Sequence, residues 1–263
     1  MDRASSLSPQ TMHGAPSYPD KRAPGNRSRR ILGIVLWVIG LIILGALAFF
    51  AHTHKTPLAF EVNFTKLIQG AHRIPCPVPY LPPSFLDAGL FDVSQLNNPL
   101  PSVIAAAVWV IGMLLLRLFR QALYFVVAVA SVGGLFLLLT PLIGRPRPTL
   151  QAGICVHDTY PYYSFPSGHV SHDVVSSGIL LFITLSEPVR RWRYRWLLLP
   201  LQLFFLIDIL TIGYSRLLEG DHWLLDVVGG YLVGFLWLAL FIFLYHRTAH
   251  LLTRERLKKL IGR

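Results

Sequence analysis

The sequence predicts an all-α fold, a polytopic membrane protein built as a bundle of six transmembrane helices. Three observations predict it. Of 263 residues, 53% are hydrophobic and 14% charged, with a mean hydropathy of +0.52, a balance too apolar for an ordinary soluble domain. The run from Ile31 to Ala51 holds 21 residues without one charge, long enough for a helix to cross a bilayer core. The 24 Lys and Arg outnumber the 13 Asp and Glu, giving a net charge of +11, yet they sit between hydrophobic runs. That placement excludes a nucleic-acid module and favours a membrane topology signal.

The elements follow in order. Residues 1–30, rich in Ser, Pro, Gly and basic side chains without apolar periodicity, read as a disordered cytoplasmic tail. Six spans come next: Ile31 to Ala51, Ser102 to Phe119, Gln121 to Leu142, Val170 to Ser186, Trp196 to Gly213 and Trp223 to Tyr245. The first span is retained rather than cleaved as a signal peptide, because it is long, follows a polar tail and lacks a clear cleavage site. Together residues 31–245 form the expected functional domain. Its outer connection, 52–101, contains a short interfacial helix over Phe60 to Ile68 and a proline-dense stretch, Pro75 to Pro83. Residues 246–263 read as a basic amphipathic tail on the inner leaflet, its leucines interleaved with Arg254, Arg256, Lys258 and Lys259.

Orientation follows from the basic residues. With the N-terminus inside, cytoplasmic segments carry eighteen Lys and Arg and the opposite side six, so both termini are expected in the cytoplasm of a bacterial cell membrane. Trp192, Trp196 and Trp223 lie at span ends and read as interface anchors. Pro200 is expected to kink the fifth span or delay its start. Gly229, Gly230 and Gly234 permit close helix approach, read as packing inside one chain. Cys76 and Cys155 both fall outside in this topology, where they could bridge the first outer loop to the loop before Pro166.

Several polar residues have no place in a lipid-facing span. Gly144-Arg145-Pro146-Arg147-Pro148, Phe165-Pro166-Ser167-Gly168-His169 and Ser215-Arg216 with His222 and Asp226 all fall at span ends on the outer side. Arginine forks match phosphate oxygens, and backbone donors at a helix N-terminus add to an anion site. His222 and Asp226, four apart, share a helix face, so the carboxylate can fix one imidazole tautomer and leave the other nitrogen to attack. His172 and Asp173 read as interior polar packing. Asp208, seven residues before Ser215 and inside a span, reads either as a hydrogen bond between helices or as support for the site.

In Pro166-Ser167-Gly168-His169 and in Ser215-Arg216, five residues, His222, three residues, Asp226, the sequence resembles the type-2 phosphatidic acid phosphatase family, membrane relatives of the vanadium haloperoxidases. The likeness spans about Gln121 to Tyr245. It implies a lipid phosphate or diphosphate phosphatase whose site faces outward, with polyprenyl diphosphate, phosphatidic acid or phosphatidylglycerol phosphate as substrate. The resemblance makes His222 the nucleophile, Asp226 its orienting carboxylate and His169 the acid for the leaving oxygen and then the base for water. Arg147, Ser167, Gly168 and Arg216 would hold the phosphoryl oxygens. One position departs from the pattern: Thr140 stands where the family has Lys, so a cationic contact is missing. Either Arg145 or another outer base replaces it, or the substrate needs less charge neutralisation; Thr140 itself offers one hydrogen bond.

No metal or other cofactor is implied, and the expected partner is a membrane lipid, not nucleic acid. A phosphotransferase acting on a lipid or sugar acceptor, and a lipid-phosphate binder or transporter without turnover, share every motif and stay open. The sequence leaves the oligomeric state unknown.

Overall fold

The computed structural model describes residues 25–70, 85, 88–89, 95, 97–157 and 160–249. The chain forms α1 (Gly25–Thr53), α2 (Ala59–Gln69), α3 (Pro99–Leu115), α4 (Phe119–Ile143), α5 (Gly168–Leu185), α6 (Leu199–Leu218) and α7 (Leu224–Ala249), with three short 3-10 turns between them. No strand occurs among the described residues. The stretch Pro75 to Pro83 and Cys76 lie outside them, as do most of the expected N-terminal tail and residues 250–263 of the expected C-terminal tail, whose first four residues continue α7.

The described residues from Trp37 onward form one compact unit and those up to Leu36 another. Within the smaller unit, the opening turns of α1 are helical from Gly25, not Ile31, and their apolar side chains Ile31, Leu32 and Ile34 are exposed.

Among the described residues, five helices are long and apolar enough to cross a membrane, and α3, at 17 residues, is a shorter apolar helix. The second span therefore ends at Leu115 rather than Phe119; Arg117 adopts a left-handed φ of 59° and α4 starts two residues later. The fifth span starts late, as Pro200 requires, since proline lacks the N–H an interior turn needs but fits a first turn. It begins at Leu199 behind the 3-10 turn Arg195–Leu198 and continues to Leu218, which places Ser215 and Arg216 in its last turn.

α5 is the hub, packing against α4, α6 and α7. More than half of it is buried, against almost none of α1. Its polar residues thus face protein, which is why it is the least apolar of the long helices. Against it lies α7, where Cβ atoms on Gly229, Gly230 and Gly234 would strike the Phe165 ring, the Ser167 carbonyl and Val174. The glycines serve packing within the chain. Val170, Val174, Ile209, Ile212, Leu217 and Val227 close this contact into an apolar floor. Asp208 receives a 2.6 Å hydrogen bond from Ser177 of α5, the contact between helices that an intramembrane carboxyl needs. Asp173 accepts from Asn97 at 2.5 Å and lies 3.7 Å from His172, a packed polar pair.

Trp192 and Trp196 are exposed at span ends, but Trp223 is buried. Its indole donates to the Pro146 carbonyl at 3.1 Å, so it ties two loops together rather than anchoring the chain at an interface.

Candidate active site

The C-termini of α4 and α6 and the N-termini of α3, α5 and α7 meet at one end of the bundle. The loop 144–149 follows α4, capped by Gly144, whose N–H donates to Thr140 O at 2.9 Å in a left-handed turn. Ser167 is the N-cap of α5, and its own N–H donates to Asp226 O at 2.9 Å. Between α6 and α7, Gly220 takes a φ of 71° and passes so close to Cys155 O that a Cβ would stand 2.0 Å from it. Only glycine fits that turn, and it delivers Asp221 and His222 inward.

His222 is fully buried. Its Nε2 lies 3.4 Å from the Arg147 guanidinium and its Nδ1 3.4 Å from Ser164 Oγ. Asp226 stands farther off, its Oδ2 4.0 Å from Nδ1. Ser164 fills the gap, donating to Asp226 Oδ2 through a short hydrogen bond. The expected pair of His222 and Asp226 is therefore a relay through Ser164. Asp226 Oδ2 also accepts from Trp223 N at 2.9 Å, and its Oδ1 accepts from Arg145 at 2.7 Å.

Burial pushes the His222 imidazole well below its ordinary range, and Arg147, His169 and Arg216 add in the same direction. It is neutral near pH 7, with a lone pair available on one nitrogen. Burial also lowers Arg147, though Asp221 and Asp226 oppose it.

Arg147 is half-buried, donating to the carbonyls of Tyr162 and Asp221 at 2.9 and 2.8 Å and lying over the Tyr160 ring at 4.8 Å. Arg216 is buried against Glu219 and Asp221, at 2.5 and 3.1 Å. His169, at the start of α5, faces Asn98 Oδ1 at 3.3 Å and the Tyr160 ring edge; Tyr160 donates to the same Asn98 oxygen.

Arg145 and Thr140, expected as further phosphate contacts, are directed elsewhere. Arg145 is buried between Glu61 and Asp226 at 2.7 Å each. Burial opposes its charge, but Asp226 and Glu61 outweigh burial and raise its pKa. Thr140 is buried and donates to Phe136 O at 3.1 Å. A different base reaches this corner: Lys55, just past α1, donates to Ile143 O at the C-terminus of α4.

His222, Ser164, Asp226, Arg147, Arg145 and Trp223 thus form one contact chain, with Ser167 joined to Asp226 through its backbone. Sequence reading missed Glu61, Asn98, Tyr160 and Ser164. Ser164 stands only two residues before Pro166, and a hydroxyl so close to the motif was the one available signal. Cys155 is disulfide-bonded, and the other cysteine, Cys76, lies outside the described residues.

Residues 121–249 match the PAP2 superfamily. Over 72 residues the chain is 36% identical to an undecaprenyl-diphosphatase of Sulfolobus acidocaldarius, covering 27% of this chain and 29% of that protein. Two crystal structures share the fold. One is a PAP2 type phosphatidylglycerolphosphate phosphatase of Bacillus subtilis, with a TM-score of 0.61 at 17% identity over 83% of this chain and 98% of that one. The other is Aquifex aeolicus LpxE, with a TM-score of 0.52 at 19% identity over 70% and 96%.

Proposed function

We propose that this chain, whose residues 121–249 match the PAP2 superfamily, is a multi-pass membrane phosphatase that cleaves a lipid phosphate or diphosphate through a phosphohistidine. One observation carries this reading: a buried, neutral imidazole whose Nε2 faces a guanidinium while its Nδ1 faces a hydroxyl tied to a carboxylate. Nδ1–H donates to Ser164 Oγ and Ser164 donates to Asp226, which leaves Nε2 unprotonated, its lone pair turned toward the Arg147 guanidinium that would hold the phosphoryl group.

Phosphoryl transfer asks for positioning and for cations at the equatorial oxygens. Arg147 and Arg216 supply the charge, with Ser167 and the Gly168 N–H at the start of α5 as further donors. Nε2 forms the bond to phosphorus as the bond to the leaving oxygen breaks, and His169 gives that oxygen its proton. Water then attacks phosphorus, His169 takes the water's proton, and His222 leaves. No metal or other cofactor takes part. Arg145 and Thr140 are not phosphate contacts in this account. Lys55, which donates to Ile143 O one turn after Thr140, is a base at the corner where a charge is missing.

The site faces outward and both termini are cytoplasmic. This orientation rests on the basic residues and on the disulfide-bonded Cys155 at the site's end of the bundle, since disulfides persist in oxidising compartments. Substrates are membrane lipids of the class named by its relatives, a polyprenyl diphosphate or a phosphatidylglycerol phosphate, or phosphatidic acid. The test is phosphate release in detergent with EDTA, wild type against His222→Ala, across these three. Release that survives EDTA and disappears in the variant is expected. Full activity in His222→Ala, or release that EDTA abolishes, would overturn the reading. Transfer of labelled phosphate to an added lipid or sugar alcohol instead of water would make the protein a phosphotransferase.

A further inference from the structure

Arg145 divides its fork between two carboxylates, and only one of them belongs to the site. One Nη holds Asp226 Oδ1 at 2.7 Å, while the other holds Glu61 Oε2 at 2.7 Å. Glu61 comes from α2, in the connection between α1 and α3, and is fully buried. It makes two further contacts: its Oε2 accepts from Leu58 N at 2.9 Å, capping α2, and its Oε1 accepts from Leu225 N at 3.1 Å, in the first turn of α7. Every acceptor contact of this carboxylate is thus to a group that fixes α2, Arg145 or the helix carrying Asp226.

We propose that Glu61 is a positioning residue for the reaction, acting through Arg145 to set the orientation of Asp226 and hence of His222. The proposal rests on the phosphatase reading above. A guanidinium facing a lone carboxylate closes on both of its oxygens in a bidentate pair. Glu61 prevents this by occupying the second half of the fork. Asp226 Oδ2 is thereby left to accept from Ser164 and Trp223 N, and Ser164 can receive the His222 Nδ1 proton. Without the Glu61 charge, Arg145 would rotate onto Asp226 and draw Oδ2 out of the relay. A misplacement of about 1 Å in such a chain is enough to cost roughly 100-fold in rate.

A cycle of Glu61→Gln and Asp226→Asn on the full-length protein in detergent tests this, with kcat and KM measured on a lipid phosphate and thermal unfolding alongside. Gln69→Leu serves as the control: Gln69 anchors the other end of α2 to Cys155 and Leu218 and does not contact Asp226 or Arg145. The expected result is a kcat lowered about 10- to 100-fold by Glu61→Gln at nearly constant KM, with little further loss when Asp226 is already Asn. Gln69→Leu is expected to lower the unfolding temperature while kcat stays near wild type. An active Glu61→Gln, losses that multiply in the double variant, or an equal kcat loss in Gln69→Leu would each overturn the role while leaving the phosphatase reading intact. A folded wild type that releases no phosphate would instead remove the phosphatase reading, and this proposal with it.

Discussion

A histidine serves as a nucleophile only while neutral, and burial beside cations favours the neutral form of His222, the nucleophile in the proposed reaction. The acid limb of kcat/KM belongs to this group in the free enzyme. Because burial, Arg147, His169 and Arg216 all lower its pKa, activity should persist as pH falls through the ordinary histidine range and fail only well below it. Replacing Arg147 by Gln removes one of those charges, so the limb should move up in pH while kcat/KM falls; a limb that stays put would show that Arg147 does not act on His222. Ser164→Ala removes the relay hydroxyl and should lower kcat about 10- to 100-fold with KM little changed, as for other groups that orient a reacting side chain. Steady-state kinetics of the purified variant checks this. Equal kcat would mean that Asp226 reaches His222 without it. At this scale the sequence was legible where neighbours in the chain are neighbours in the structure: His222 near Asp226, and Ser167 capping the helix that carries His169. It was silent on Glu61, whose contact with Arg145 bridges 84 positions, because one chain's residue order carries no sign of such pairings. It gave no sign either that Arg145, two residues from Arg147, pairs with the buried carboxylates of Glu61 and Asp226.

Helices carry these residues, and glycines decide how closely the helices and turns approach. Gly220→Ala forces a Cβ into a left-handed turn and against Cys155 O. The strain of that φ alone costs about 1–2 kcal/mol, and the clash adds to it, so thermal unfolding should shift down markedly. At the contact of α5 with α7, Gly230→Leu would overpack the Ser167 carbonyl and Val170 at a cost of about 1–3 kcal/mol. Because Ser167 is displaced, KM should rise as well; an unchanged KM in a folded variant would separate Ser167 from phosphate binding. The long apolar runs made the spans legible, and the short α2 was legible from Phe60 to Ile68. Helix ends were less so. The apolar run of α6 weakens after Gly213, yet the helix continues to Leu218 because Ser215 and Arg216 find partners inside the protein rather than in lipid.

In the whole molecule, exposed side chains such as Ile42, Val103 and Leu210 cover the outside of the bundle, an apolar surface that only a bilayer satisfies. Polar groups collect in the interior and at one end. In the proposed reading that division accounts for the net charge, with basic loops orienting the chain and Arg147 and Arg216 at the site. The proposed placement of the site on the oxidising side predicts that alkylation without reductant labels neither cysteine in the membrane-inserted protein, and that reductant exposes both. Two free thiols would place that end in a reducing compartment. The central claim, a phosphoryl group carried on His222, is tested most directly by mixing enzyme with lipid substrate labelled in its phosphate, quenching in alkali within a turnover, and mapping the label by mass spectrometry. The account predicts an acid-labile, alkali-stable phosphoryl adduct on the peptide containing His222, absent from His222→Ala. Label on another residue, or turnover without any labelled protein, would contradict it.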